Sequence, residues 1–270
     1  MTERTQRPRR TALVTGASAG IGRAIARHLA ADGMRVAVHY RQRREAAQET
    51  VAAIEAAGGR AFALGADLTA DRAIDALFSA LEAALDGGRL DVLVNNAGVA
   101  SDREDPTVTR RDGFVAGISD VTPEEFDELF ALNVRAPFFV TQRALPLLAD
   151  GARIINISSV ATRIAWPLLP YAMSKGALEM MAPRLAQQLG ARGITVNTVA
   201  PGITDTEMNN WVHETPGAEE AISEMTALRR LGRPDDISAV VSYLASDEAR
   251  WVTGQLVDAS GGMCLAPGGM

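Results

Sequence analysis

From residue 11 onward, short runs rich in β-branched residues alternate with longer Ala/Leu-rich stretches of helical period. TALVT at 11–15 and MRVAVHY at 34–40 open the series, and RAFALGAD, DVLVNNAG, RIINISS and ITVNTVAPG continue it. The helical stretch at 21–31 places Ile21, Ile25, His28 and Leu29 on one face. A last short strand is expected at 255–257, which makes about seven strands. Strands that are apolar along their length are buried on both faces, and parallel pairs need crossovers of about a dozen residues or more. The alternation therefore predicts an α/β chain built on a doubly wound parallel sheet. An eight-stranded barrel overlaps it in length, but the glycine-rich turn after the first strand favours the open sheet. No linker or internal repeat divides residues 11–270, so one domain is expected, preceded by a disordered leader at 1–10.

Two stretches break the rhythm. Residues 99–121 include a polar, glycine-punctuated run, and residues 203–232 lie between a Pro-Gly turn and the LGRPDD helix start. Both follow strands, which places them at the carboxyl ends where open α/β sheets bind ligands; both are expected to be substrate loops, the second with a short helix inside. A formal charge of −6 provides no electrostatic footprint for nucleic acid, and the basic residues of MTERTQRPRR stop where the first apolar run begins. The single cysteine, Cys264, excludes an intramolecular disulfide. With so few thiols and imidazoles no metal is expected, and His28, His39 and His213 read as surface or helix-face residues. No apolar run reaches the ~20 residues that span a bilayer, and no signal-peptide pattern opens the chain. No membrane partner is expected, and the cytoplasm is the expected location.

The first strand runs directly into TGASAGIG, with glycines at 16, 20 and 22. Such a turn lets a pyrophosphate approach a helix N-terminus with no Cβ in the way. Its spacing is Gly-x-x-x-Gly-x-Gly, not the commoner Gly-x-Gly-x-x-Gly. The end of the second strand then selects the cofactor: an acid there binds the ribose of NAD, whereas an arginine accommodates the extra phosphate of NADP. The sequence reads VAVHYRQRRE, with no acid at the strand end and Arg41 about 20 residues past the turn. NADP is the expected cofactor, with NAD the second choice.

YAMSK sets Tyr171 and Lys175 one helical turn apart, on one face. A tyrosine of pKa ~10 is a poor acid–base at neutral pH unless its phenolate is stabilised, which a neighbouring ammonium does. Upstream, Thr122-Pro123-Glu124-Glu125 reads as a capped helix start with proline in the first helical position. Asn133 follows in that helix, and Pro137, four residues on, has no N–H to offer the Asn133 carbonyl. A carbonyl freed in this way can hold a water.

Taken in order, these motifs resemble the short-chain dehydrogenases/reductases in their single-domain Rossmann-type form, with a flavour of the 3-oxoacyl-carrier-protein reductase-like subgroup. TGASAGIG is similar to the family's glycine motif, Asp67-Leu68 to its adenine-contacting pair, NNAG at 95–98 to the motif after the fourth strand, and Asn133 in ALNV to its helical asparagine. NISS, YAMSK and the turn at Pro201 and Gly202 complete the set. The resemblance implies hydride transfer between NADP(H) and a ketone or secondary alcohol. It implies Tyr171 as acid–base, Lys175 on the nicotinamide ribose, a serine orienting the substrate oxygen, and Asn133 in a water relay. The family's spacing points to Ser158 for that serine. Its preference for the second serine of a pair followed by small or apolar residues points to Ser159, which is the assignment made here. Cofactor contacts are implied for Gly16, Ser18, Ala19, Gly20, Ile21, Gly22, Arg41, Asp67, Leu68, Asn96, Ala97, Gly98, Pro201, Gly202, Thr204 and Thr206, besides Tyr171 and Lys175. A small-molecule carbonyl or alcohol substrate and a homotetramer are implied as partners.

The chain departs from the family pattern in places. Ala19 stands where NADP-preferring relatives often carry a basic residue, Thr204 where an isoleucine or valine is common, and Asp258 falls out of register and receives no role. Pro183, inside the catalytic helix, should bend it. Two other functions fit the same scaffold: a nucleotide-sensing regulator without turnover, and a cofactor-retaining epimerase or dehydratase.

Overall fold

The computed structural model describes residues 10–100, 118, 121–165, 168–263 and 265. Seven strands form one sheet: β1 (Thr11–Val14), β2 (Arg35–Tyr40), β3 (Arg60–Gly65), β4 (Leu90–Asn95), β5 (Leu148–Ile157), β6 (Thr195–Pro201) and β7 (Leu256–Ala259). Their order is β3-β2-β1-β4-β5-β6-β7, with every neighbouring pair parallel. The strand order reverses between β1 and β4, and a crevice at such a reversal is where doubly wound sheets bind nucleotides.

Alternation along the strands builds two cores. Ala12 and Val14 of β1 face one layer, where they meet Ile25 and Leu29 of α1 (Gly20–Ala31), Ile54 of α2 (Arg44–Ala56) and Val241 and Leu244 of α10 (Pro234–Ala245). Leu13 faces the other, with Leu77, Phe78 and Leu81 of α3 (Ala73–Leu85), Val140 of α5 (Ala136–Ala144) and Ala182 of α7 (Met181–Leu189). Burying a large apolar side chain contributes about 1.5–3 kcal/mol, so both faces need their helices. No helix among the described residues is long and apolar enough to cross a membrane.

The remaining helices position the site. α4 (Pro123–Phe130) opens on the expected cap: the Thr122 hydroxyl accepts from the Glu125 amide, the Glu125 carboxylate accepts from the Thr122 amide, and Pro123 takes the first helical position. A π turn at Ala131–Arg135 then leads into α5, with the Ala136 amide donating to the Ala131 carbonyl. Pro183 does more than bend the catalytic helix. It withholds the N–H that the Glu179 carbonyl needs, and the helix divides at Met180 into α6 (Leu169–Glu179) and α7.

The stretch at 203–232 holds two short helices, not one: α8 (Trp211–Glu214) and α9 (Ala218–Met225). Val212 and Ile222 are buried with Val160, Leu231 and Met263 in a third cluster, and Trp211 packs partly against it, whereas Met208 and Met225 stay exposed. The expected leader lies outside the described residues except for Arg10, as does most of the loop at 99–121.

His39 overturns its surface assignment. It sits in β2, 2% exposed. Its Nδ1 accepts the Gly16 amide proton at 3.0 Å, and its Nε2 lies 3.0 Å from the Ala66 carbonyl, an arrangement that puts the ring proton on Nε2. Burial lowers its pKa from 6.5 to about 4. The folded state therefore binds fewer protons than the unfolded chain between these values, so the contribution to stability is complete above pH 6.5 and is lost as pH falls towards 4. Between pH 7 and pH 5 this amounts to about 2 kcal/mol. Urea denaturation of wild type and His39→Asn at those two pH values should show the variant losing about 2 kcal/mol less; equal losses would contradict a buried neutral imidazole.

Candidate active site

The turn after β1 is shaped by close backbone approach. Gly16 and Gly20 have φ of +64° and +51°, a region other residues adopt only with strain. A Cβ on Gly22 would lie 2.3 Å from the Gly16 carbonyl oxygen and 2.5 Å from Asn96 Nδ2, so no side chain fits there. Asn96 ties the turn to the end of β4: its Nδ2 donates to the Thr15 carbonyl at 2.8 Å, and Thr15 Oγ1 accepts the Asn96 and Ala97 amides at 2.9 and 3.0 Å. The Ser18 carbonyl accepts from Arg23, and Ile21 packs partly buried against the core.

The helix that starts at Gly20 has Ala19 as its N-cap, with no side-chain cap and no acid in its first turn. Its free N–H groups and positive dipole end suit an anion. The cradle fits a dinucleotide pyrophosphate.

At the outer end of β2, Arg41 Nε lies 3.0 Å from Asp67 Oδ2, and Arg43 pairs with Glu207. Desolvation alone would raise the Asp67 pKa; Thr69 and Arg41 outweigh it and hold the carboxyl below the usual range. Leu68 turns its side chain into the core, 3% exposed. On the opposite wall, Thr206 Cγ2 lies 3.3 Å from where a Gly20 Cβ would stand, which brings the segment after Pro201 against the glycine turn. Gly202 abuts Ser260, where a Cβ would meet backbone at 3.0 Å. Thr204 is 1% exposed and donates to the Gly202 carbonyl at 3.0 Å, so its hydroxyl is committed within the turn.

Four polar side chains meet beyond the carboxyl ends of β4 and β5. Tyr171 and Lys175 come from α6, Ser159 from the turn after β5, and Asn133 from the π turn. Asn133 is 1% exposed; its Nδ2 donates to the Val99 carbonyl at 2.8 Å and to Ser174 Oγ at 3.0 Å, and its Oδ1 accepts the Val99 amide at 3.0 Å. A Cβ on Gly98 would lie 3.0 Å from Asn133 Oδ1 and 3.2 Å from Lys175 Nζ, so the NNAG glycine backs onto both.

The two serines part company. Ser158 is 3% exposed and points to Glu179, 2.7 Å away. Ser159 interacts through its side chain with Tyr171 and accepts the Ala161 amide at 3.2 Å. Of the two, Ser159 faces the tyrosine.

Electrostatics differ from the simple Tyr–Lys picture. Burial raises the Tyr171 pKa, and the group that opposes this is the Ser159 hydroxyl. Lys175 Nζ stands 5.6 Å from the Tyr171 ring centroid and donates to the Ile157 carbonyl at 2.9 Å. Burial lowers its pKa to about 8, with the Glu179 charge pulling upward. By favouring the phenolate against the effect of burial, the Ser159 hydroxyl is the group that helps Tyr171 give up its proton. Sequence reasoning missed His39 and Glu179. The only sequence signal for Glu179 was its spacing, one turn past Lys175 on the same helix face.

The comparisons agree with this fold. A family model described as enoyl-(acyl carrier protein) reductase matches residues 16–264. The solved structure of the angucycline C-6 ketoreductase LanV with bound NADP superposes with a TM-score of 0.86 at 46% identity, covering 95% of this chain and 96% of that one. The 3beta-hydroxysteroid dehydrogenase 1 of Eggerthella lenta is 39% identical over 96% of this chain and 95% of its own length. The tetrahydroxynaphthalene reductase of Pyricularia oryzae is 37% identical over 95% and 90%. With a family model matched over residues 16–264 and relatives similar along nearly its whole length, the chain belongs to the short-chain dehydrogenase/reductase family and is an oxidoreductase.

Proposed function

We propose that this protein reduces a ketone on a fused-ring substrate with NADPH. The observation that carries the reaction class is the meeting of Tyr171, Ser159, Lys175 and Asn133 at the strand ends, beside the uncapped N-terminus of α1. NADPH, when bound, supplies the hydride. Gly16, Ser18, Ala19, Gly20, Ile21 and Gly22 receive its pyrophosphate, Arg41 its 2′-phosphate, and Asp67 and Leu68 its adenine. Asn96, Ala97 and Gly98 with Pro201, Gly202, Thr204 and Thr206 line the path to the nicotinamide.

Ser159 donates a hydrogen bond to the substrate carbonyl oxygen, and Tyr171 delivers the proton to it. At neutral pH the phenol is protonated, and the Ser159 hydroxyl, which opposes the upward shift that burial imposes, eases loss of the proton as the substrate oxygen becomes basic. Lys175 holds the nicotinamide ribose hydroxyls. The backbone at Asn133, where Pro137 withholds an N–H, seats the water that returns a proton to the lysine.

The substrate class is supported by the relatives' own substrates, since angucycline, hydroxysteroid and tetrahydroxynaphthalene are all fused-ring skeletons. The apolar cluster under 203–232 supports it too, because it backs Val160, next to Ser159. A 3-oxoacyl thioester is the second reading, favoured by the description of the matching family model. A homotetramer in the cytoplasm is the state the family resemblance implies.

An assay of fused-ring ketones and 3-oxoacyl thioesters, with NADPH and NADH side by side, should show turnover of the ring ketones with NADPH. Turnover confined to the thioesters would replace the first reading with the second. Cofactor binding without turnover of anything would favour a sensor, and isomerised product without NADPH consumption an epimerase. Tyr171→Phe should lower kcat at least ~100-fold while NADPH affinity stays within about twofold. Arg41→Ala should raise KM for NADPH about tenfold, the loss of one charge-assisted hydrogen bond, and leave KM for NADH unchanged.

A further inference from the structure

Ser158 and Thr162 flank Ser159 in the turn after β5, and their hydroxyls converge on a single oxygen atom. Ser158 Oγ donates to Glu179 Oε1 at 2.7 Å, and Thr162 Oγ1 donates to the same oxygen at 2.8 Å. Each hydroxyl has a longer alternative, Ser158 to the Lys175 carbonyl at 3.4 Å and Thr162 to the Ser159 carbonyl at 3.0 Å. A hydroxyl has one proton to give, and the charged acceptor at the shorter distance takes it.

Glu179 is the last residue of α6, the helix that carries Tyr171 and Lys175. A carboxylate at a helix C-terminus faces the negative end of the dipole, so its position is not explained by the helix itself. The two hydroxyls across the gap supply the favourable contacts instead. We infer that Glu179 is a positioning residue for the reaction: its carboxylate clamps both ends of the serine turn onto the catalytic helix and thereby sets where the Ser159 hydroxyl stands relative to Tyr171.

The geometry of the turn makes the clamp consequential. Ser159 is in an extended conformation, φ −163° and ψ 151°, and caps the short 3-10 turn Val160–Thr162 through the Ala161 amide. Its side chain is therefore oriented by a turn whose two ends are held by Glu179. Without the clamp, the hydroxyl is left to that single amide contact, its interaction with Tyr171 and the packing of Val160. Misplacing a group that donates to developing charge lowers the rate without altering cofactor binding.

The inference rests on the assignment of Ser159 made above. Steady-state kinetics on the intact protein, well below its melting temperature, test it with Glu179→Ala, Glu179→Gln, Ser159→Ala and the double variant Ser159→Ala/Glu179→Ala. Glu179→Ala should lower kcat about tenfold with NADPH affinity unchanged. Glu179→Gln should restore most of it, since an amide oxygen still accepts both hydroxyls. In the Ser159→Ala background the Glu179→Ala loss should shrink to less than twofold, a coupling that a merely structural residue lacks. Should Glu179→Ala fail to fold, Ser158→Ala/Thr162→Val removes the donors, keeps the carboxylate and should show the same loss. If Ser159→Ala is impaired while the clamp variants keep wild-type kcat, or lose equally in both backgrounds, the inference fails alone. If Ser159→Ala is fully active, the reading of the site fails and the inference falls with it.

Discussion

The Gly22 backbone presses against the Gly16 carbonyl and the Asn96 side chain more closely than any side chain permits. This contact makes the rest of the site possible. It lets α1 begin immediately after the turn, and so points the uncapped helix end into the crevice where the strand order reverses. It also locks the turn to the end of β4, where Gly98 in turn backs onto Asn133 and Lys175. The glycine turn and the polar cluster thus share one rigid frame. His39 secures the same turn from the other side, with a neutral imidazole wedged between the Gly16 amide and the Ala66 carbonyl.

Charge within the site is arranged by burial more than by pairing. Tyr171 and Lys175 each shift towards the neutral form, the tyrosine upward and the lysine to about 8. The tyrosine stays protonated at neutral pH, whereas the lysine is brought close enough to neutrality to exchange its proton. The outer rim behaves differently. There the arginines meet carboxylates, Arg41 with Asp67 and Arg43 with Glu207, in exposed pairs that contribute little to stability and can exchange partners for a phosphate.

Much of this was legible in the sequence, for identifiable reasons. Strand and helix periods are local, so all seven strands and the covering helices followed from the pattern, and the Thr122 cap was readable because both of its partners lie within four residues. Tyr171 and Lys175 were readable because one helical turn brings them together. His39 was not, because its two partners come from the segments after β1 and β3 and nothing near it in sequence announces burial. Spacing left Ser158 and Ser159 open, and what separates them in space is Glu179, 21 residues from Ser158. Pro183 was visible as an irregularity, but whether a helix bends or divides depends on what packs against it. Short helices such as α8 and α9 rest on tertiary packing, here the cluster around Val160, and have little signature of their own.

The tie between Thr15 and Asn96 has a consequence for how the chain reaches its native state. Those residues are 81 apart, so a turn made earlier waits for the end of β4 before it can be fixed. β1 can pair with β2 soon after both are made, but its other edge stays open until β4 arrives. Closing so long a loop before its contacts compensate is slow, and an open central strand edge invites wrong pairing in the interval. The glycine turn is therefore completed late, a product of the finished sheet and not a module that forms ahead of it.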